Sequence, residues 1–166
     1  AGEPISLWRM LFPRRGAGAH LFFVGAVLLT LMLLWMRAAV LLYALFFGWR
    51  PFPGFDHIVE MLFTTPVGLT MLATGTAIGG LFAAFSFAIS AFSIPMLLDR
   101  KLDAFSAMAM SMSLVWNNLP AALLWGAIIL LLTLVSLGTA LVGLIIIFPL
   151  LGHATWHAYA AVRDEP

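Results

Sequence analysis

The sequence predicts an all-α, polytopic transmembrane helical bundle of four spans, with an interfacial amphipathic helix between spans two and three. Three observations carry that prediction. Of the 166 residues, 63% are hydrophobic and only 9% charged, against roughly 45–50% apolar and 25% charged residues in a soluble domain. The mean hydropathy is +1.08, and a chain with so little polar surface cannot cover a water-soluble globule. The apolar residues also gather into segments long enough to cross about 30 Å of hydrocarbon, which takes about 20 helical residues. The cations, finally, segregate to one side of the resulting topology.

A single membrane domain is expected over residues 1–166, opening with a cytoplasmic segment, 1–19. Arg14 and Arg15 precede an apolar stretch far longer than the roughly 7–15 residues of a secretory signal core, so no signal peptide is read here. Span one covers 20–49 and holds one charge, Arg37. Pro51, Pro53 and Gly54 end it, and a short helix from Asp56 to Thr65 presents Ile58, Met61 and Leu62 on one side. Span two covers 66–98, with Thr65 as N-cap and Pro66 in the first helical position, where a missing N–H costs nothing. Asp103 caps the amphipathic helix that follows, whose apolar stripe is Phe105, Met108, Ala109, Met112 and Val115. The next apolar run, Leu119 to Val162, would reach about 66 Å as one helix. It is therefore divided at Gly138 into spans 119–137 and 139–161.

With four spans, Arg9, Arg14, Arg15, Arg100, Lys101 and Arg163 share a side with both termini, and Arg50 alone lies opposite. That bias predicts a multi-pass protein with both termini cytoplasmic.

The same composition narrows function. A net charge of +1 with no basic run beyond Arg14–Arg15 excludes a nucleic-acid binder, and the absence of cysteine removes disulfides and thiol chemistry. No span contains a carboxylate, and Ser86, Ser90 and Ser93 have no neighbouring base or acid in the sequence to activate them. No enzyme and no cofactor is expected.

Three groups of residues remain as candidates. Gly75 and Gly79 form a GxxxG that Ala83, Ser86 and Ser90 extend into a small-residue stripe, the pattern that lets helices approach closely, within the chain or with a partner. Arg37 lies deep in span one, where a charge costs several kcal/mol and calls for a buried polar contact or snorkelling. His153 and His157 are one helical turn apart and, with His20, form the candidate metal or haem ligands. Two imidazoles do not complete a site, and His153, Trp156, His157 and Tyr159 read more simply as an interfacial anchor.

The run Ser93-Ile94-Pro95-Met96-Leu97-Leu98-Asp99-Arg100-Lys101-Leu102-Asp103-Ala104, with Leu151-Gly152-His153-Ala154-Thr155-Trp156-His157, resembles the bacterial integral membrane proteins grouped as domain of unknown function family 2189. Leu62-Phe63-Thr64-Thr65-Pro66-Val67-Gly68-Leu69 and Trp35-x-Arg37 fit the same pattern, so the resemblance runs from about residue 20 to nearly the end of the chain. Members of that family usually carry two further membrane helices upstream. The resemblance thus implies either a piece of a six-span protein or a shorter member. It implies no catalytic residues. It does imply, by association, a place beside cytochrome c oxidase in a bacterial inner membrane.

The functional expectation is a non-catalytic accessory subunit of a respiratory complex, in contact with membrane lipids and with other integral subunits. Two alternatives stand beside it. One is a carrier of small solutes or lipids with a polar cavity at Arg37; the other is a haem- or metal-binding assembly factor using His153 and His157.

Overall fold

A computed structural model of the chain describes residues 17–48 and 54–163. The described residues form seven helices: α1 (Ala17–Phe47), α2 (Phe55–Thr64), α3 (Pro66–Ser90), α4 (Ser93–Asp99), α5 (Ala104–Asn117), α6 (Leu119–Gly138) and α7 (Leu144–Arg163). Four stretches are long and apolar enough to cross a membrane: Ala17–Phe47, Pro66–Asp99, Leu119–Gly138 and Leu144–Ala161. The all-α, four-span reading therefore holds. Arg9, Arg14, Arg15 and Arg50, on which the orientation argument leans, lie outside the described residues, as does the Pro51–Pro53 break. Contacts divide the chain into two compact units, Ala26–Ser86 and Ala1–Gly25 with Phe87–Pro166.

In the first unit, α1 ends at Gly48, whose φ of 65° is the left-handed conformation that glycine adopts freely. The short helix α2 forms as expected, with Ile58, Met61 and Leu62 less exposed than Asp56, His57, Val59 and Glu60. Thr65 then separates α2 from α3. Its Oγ1 accepts from the Gly68 N–H at 3.0 Å and donates to the Met61 carbonyl at 2.7 Å. One hydroxyl thus caps the start of α3 and ties it to the end of α2. The bend is tight enough that a Cβ on Gly68 would collide with the Met61 carbonyl oxygen and sit 2.6 Å from Leu62 Cα.

The second unit is organised around α4, whose Ser93, Pro95, Met96 and Leu97 are buried. It packs on α5 and α7, while α6 packs on both α5 and α7. The Phe23 ring lies 4.9 Å from that of Phe105, centroid to centroid, tying the start of α1 to α5.

Three expectations need refining. Span two corresponds to Pro66–Asp99, but its helix breaks at Ala91–Phe92, between α3 and α4. Pro95 is the local cause, because it has no N–H to give to Ala91 and its ring would strike that carbonyl in a continuous helix. Tertiary structure completes the break. The Ser111 hydroxyl donates to the Ala88 carbonyl at 2.7 Å and accepts from the Phe92 N–H at 3.1 Å. Those two backbone groups would bond each other in an unbroken helix, so Ser111 is inserted into the ladder.

The helix between spans two and three forms, but its buried face only partly coincides with the expected stripe. Asp103 does cap it, with Oδ1 accepting from the Ser106 N–H at 3.0 Å and Oδ2 from the Ser106 hydroxyl at 2.6 Å. But α5 buries Ala104, Ala107, Met108, Ser111 and Val115, whereas Phe105, Ala109 and Met112 of the expected stripe are exposed. Ala104, Ala107 and Ser111 face inward together with Met108 and Val115, while Phe105, Met112 and Trp116 are turned outward.

The third correction concerns Gly138. It is the last residue of α6 rather than the turn, and a Cβ there would meet nothing within 4 Å. The reversal takes residues 139–143, so the fourth span begins at Leu144, not 139. Leu141 N–H donates to the Ser136 carbonyl at 2.8 Å and Ala140 N–H to that of Leu137 at 3.1 Å. This pair of bonds closes a helix C-terminus with a left-handed residue, a place glycine usually takes. Here Ala140 and Leu141 occupy it, with φ of 50° and 69°. Gly143 is the glycine the turn needs, since a Cβ there would lie 2.8 Å from Thr139 Oγ1 and 3.2 Å from Ser136 Cα.

Candidate functional site

The small-residue stripe of α3 faces a cleft. In the unit Ala26–Ser86, Trp35 of α1 reaches α3 at Gly79 and Phe82. A Cβ on Gly79 would sit 2.9 Å from the Trp35 ring, whose centroid is 6.0 Å from that of Phe82. Gly79 is therefore a glycine because the edge of the Trp35 indole lies against the backbone there. At Gly75, one turn earlier, an added Cβ would meet nothing within 4 Å. The resulting cleft has a volume of about 650 Å³, and Gly75, Gly79, Ala83 and Ser86 all line it. Ser90, the last of the stripe, does not. The close approach expected at the GxxxG thus occurs at Gly79 alone, within the chain.

Arg37 is exposed, not buried, and does not line the cleft. Trp35 and Ala39 do. At 3.6 residues per turn Arg37 points about 200° around the helix from Trp35. Arg37 thus lies on the side of α1 turned away from the cleft. Its neighbours on that surface, three and four residues away, are Leu33, Leu34, Val40 and Leu41, with exposures of 51%, 52%, 63% and 69%. A lone cation thus sits at the centre of an aliphatic patch, about 30 Å from the start of α1 and about 15 Å from its end.

The histidines do not assemble into a ligand set. Among the described residues no three His, Cys, Asp or Glu side chains lie close enough to hold one metal ion. His153 and His157 are exposed on α7, and His20 is half-buried on α1. His153 Nδ1 lies 2.9 Å from the Pro149 carbonyl oxygen, to which it can donate. Trp156 is 40% exposed, in keeping with a side chain at the helix surface.

Tyr159 departs from the anchor reading. It is 2% exposed, and its hydroxyl donates to Asp99 Oδ2 at 2.9 Å. The ring also rests near Trp156, with centroids 5.7 Å apart. Tyr159 is therefore an internal tie between α7 and the end of α4, holding the segment that Pro95 detaches from α3.

Sequence reasoning missed Ser111, the Trp35 cover over Gly79, and the Tyr159–Asp99 bond. Pro95 was a signal for the first, since a proline inside a span frees backbone groups that some other donor or acceptor must satisfy. Nothing in the sequence points to Ser111 as that group. The surroundings of Asp103 are outside the spans and plain in effect: the Ser106 hydroxyl and N–H both donate to its carboxylate and hold its pKa below the ordinary value.

Comparison with protein families matches residues 1–99 to the model of a family described as "Predicted integral membrane protein (DUF2189)". The match includes Trp35-x-Arg37, the Thr65–Pro66 cap and Pro95, and it stops before the His153–His157 string. Neither the curated proteins nor the solved structures yield a match.

Proposed function

The chain belongs to the DUF2189 family of predicted integral membrane proteins, and from that premise we propose that it is a non-catalytic accessory subunit of a larger membrane complex. The observation that carries this reading is Arg37. An exposed cation amid Leu33, Leu34, Val40 and Leu41 is costly in hydrocarbon, roughly 2.5–3.5 kcal/mol at mid-depth on insertion scales. Among the described residues the spans hold one carboxylate, Asp99, at the very end of the second, where it accepts from the Tyr159 hydroxyl. A neighbouring subunit that presents an acidic side chain or free carbonyls at the same depth would offset it. The patch around Arg37 would then be the contact surface, with the aliphatic side chains packing about a central charge.

The proposed complex is a respiratory one containing cytochrome c oxidase, in a bacterial inner membrane, with both termini on the cytoplasmic side. The family resemblance supports the first part and the six-to-one distribution of cations supports the last.

The test is a pull-down of the tagged chain from native membranes in mild detergent. Mass spectrometry and a redox difference spectrum are taken on one eluate. Oxidase subunits with their haem bands, lost on Arg37→Leu, are the expected result. A chain that migrates alone on native gels while the oxidase remains intact refutes the proposal.

A further inference from the structure

From the hairpin of α4 and α5 we infer that the protein lays α5 along the membrane surface, with an exposed apolar stripe of that helix dipped into the lipid. The inference is independent of any partner at Arg37.

A membrane-crossing helix ends at one face of the bilayer or the other, and the hairpin is tied to four such ends. The first belongs to α3. Its 25 residues extend about 37 Å, enough without α4 to cross about 30 Å of hydrocarbon. The Ser111 hydroxyl of α5 bonds the Ala88 carbonyl and the Phe92 N–H at that end. The Asp99 carboxylate, closing α4, accepts from Tyr159, about one turn before the end of α7. The Phe105 ring, in the first turn of α5, lies 4.9 Å from that of Phe23, in the second turn of α1. Directly after Asn118, α6 begins at Leu119. In a chain that crosses four times, the start of α1, the end of α3, the start of α6 and the end of α7 share one face. The 14 residues of α5 reach only about 21 Å, too short to cross, and they lie among those four ends.

Successive residues of α5 are about 100° apart, which sorts its surface into three strips. Ala104, Ala107, Met108, Ser111 and Val115 are buried in the protein. Phe105, Ala109, Met112 and Trp116 fall within about 60° of one another, and all four are exposed, Phe105 and Trp116 at 69% and 77%. Beyond that stripe, Ser106, Ser113 and Asn117 fall within about 40° and are exposed as well. Asn117 Nδ2 donates to the Ser113 hydroxyl at 3.3 Å along this polar strip.

Each strip suits a different medium. Water around the whole exposed surface would wet Phe105 and Trp116, and hydrocarbon around it would strip the polar side chains of their partners. Only a helix lying in the boundary gives its apolar stripe lipid and its polar strip water, while the third side rests on the bundle. Trp116 at the end of the stripe fits the headgroup level that tryptophan favours. Arg100 and Lys101, both exposed, stand just before the helix, on the same boundary.

The absence of cysteine makes the test direct, since one introduced thiol carries one nitroxide label. The full chain is labelled at Phe105→Cys, Met112→Cys or Trp116→Cys, and at the adjacent Ser106→Cys, Ser113→Cys or Asn117→Cys. Each variant is placed in vesicles of phosphatidylethanolamine and phosphatidylglycerol at high lipid dilution. Electron paramagnetic resonance then compares collisions with oxygen, which dissolves in lipid, and with a nickel chelate, which stays in water. Labels on the stripe are expected about 5–10 Å into the headgroup and acyl boundary, rich in oxygen collisions and shielded from nickel. Their neighbours on the polar strip should collide freely with nickel. Stripe labels open to nickel overturn the inference, because α5 then stands in water. All six labels shielded from nickel overturn it too, because α5 is then sunk in the core. Immobilised stripe labels that meet neither reagent also overturn it, since a second copy of the chain then covers the stripe. Each adjacent pair compares the two strips by itself, so a variant that fails to fold leaves the other pairs to decide.

Discussion

Replacing Ser111 by Ala tests whether the break between α3 and α4 is held by one hydroxyl. The substitution removes a single oxygen from a side chain that is 0% exposed, so almost no volume is lost and cavity effects are small. Two hydrogen bonds disappear, to the Ala88 carbonyl at 2.7 Å and from the Phe92 N–H at 3.1 Å. Each is worth about 0.5–1.5 kcal/mol net, and a buried backbone group left unpaired costs about 1–3 kcal/mol. Measured side-chain hydrogen bonds within membranes fall toward the lower end, about 0.6 kcal/mol on average. A loss of about 2–4 kcal/mol follows, because the freed carbonyl and N–H cannot simply rejoin while Pro95 blocks the next turn.

Ser93→Ala is the internal control. Ser93 is equally buried, but its hydroxyl has no hydrogen-bond partner among the described residues. Its removal should be neutral or stabilise by up to about 1 kcal/mol, since an unsatisfied polar group leaves the interior. The assay is reversible unfolding in mixed detergent micelles, followed by far-ultraviolet circular dichroism. Ser111→Ala within about 0.5 kcal/mol of the unaltered protein, or equal costs for the two substitutions, would show that the inserted hydroxyl does not hold the break. Adding Pro95→Ala to Ser111→Ala should recover part of the loss by letting Phe92 bond Ala88 directly. A purely additive double variant contradicts that account.

Three further outcomes follow from the same structure. Gly68→Ala forces a methyl group against the Met61 carbonyl and Leu62 Cα, and should destabilise the α2–α3 corner by about 1–3 kcal/mol in the same unfolding assay. Ala140→Gly relieves a φ of 50° and should stabilise by about 0.5–1 kcal/mol, seen as a higher unfolding midpoint; a lower one would mean the turn is not strained. Asp103, with its pKa held low by Ser106, contributes stability that is fully present above its unfolded pKa of about 4 and is lost as pH falls through its lower folded value. Unfolding from neutral pH down to strong acid should show that loss in the unaltered protein, and Asp103→Asn should remove this component of the pH dependence.

The legibility of this fold follows the range of the forces involved. Hydrocarbon exposure acts on every residue separately, so composition and segment length alone determined that the chain is helical and holds four segments long and apolar enough to cross a membrane. Caps are equally local: Thr65 with Pro66, and Asp103 with Ser106, act within three residues of themselves and were readable as such. The turn between α6 and α7 was placed nearly correctly but for the wrong glycine. Closing that turn depends on how near Thr139 and Ser136 come to Gly143, which is a matter of packing.

What required the tertiary structure are the contacts between segments distant in the chain. The 3.6-residue period of α5 cannot say which of its faces is buried, because more than one is apolar. Ser111 reaches Ala88 and Phe92 across 23 and 19 residues, Tyr159 reaches Asp99 across 60, and Trp35 covers Gly79. Sequence patterns record what a residue prefers as a solvent. They do not record which partner satisfies a freed carbonyl, or that the glycine stripe of α3 meets α1 on the side of Trp35, about 200° around the helix from Arg37.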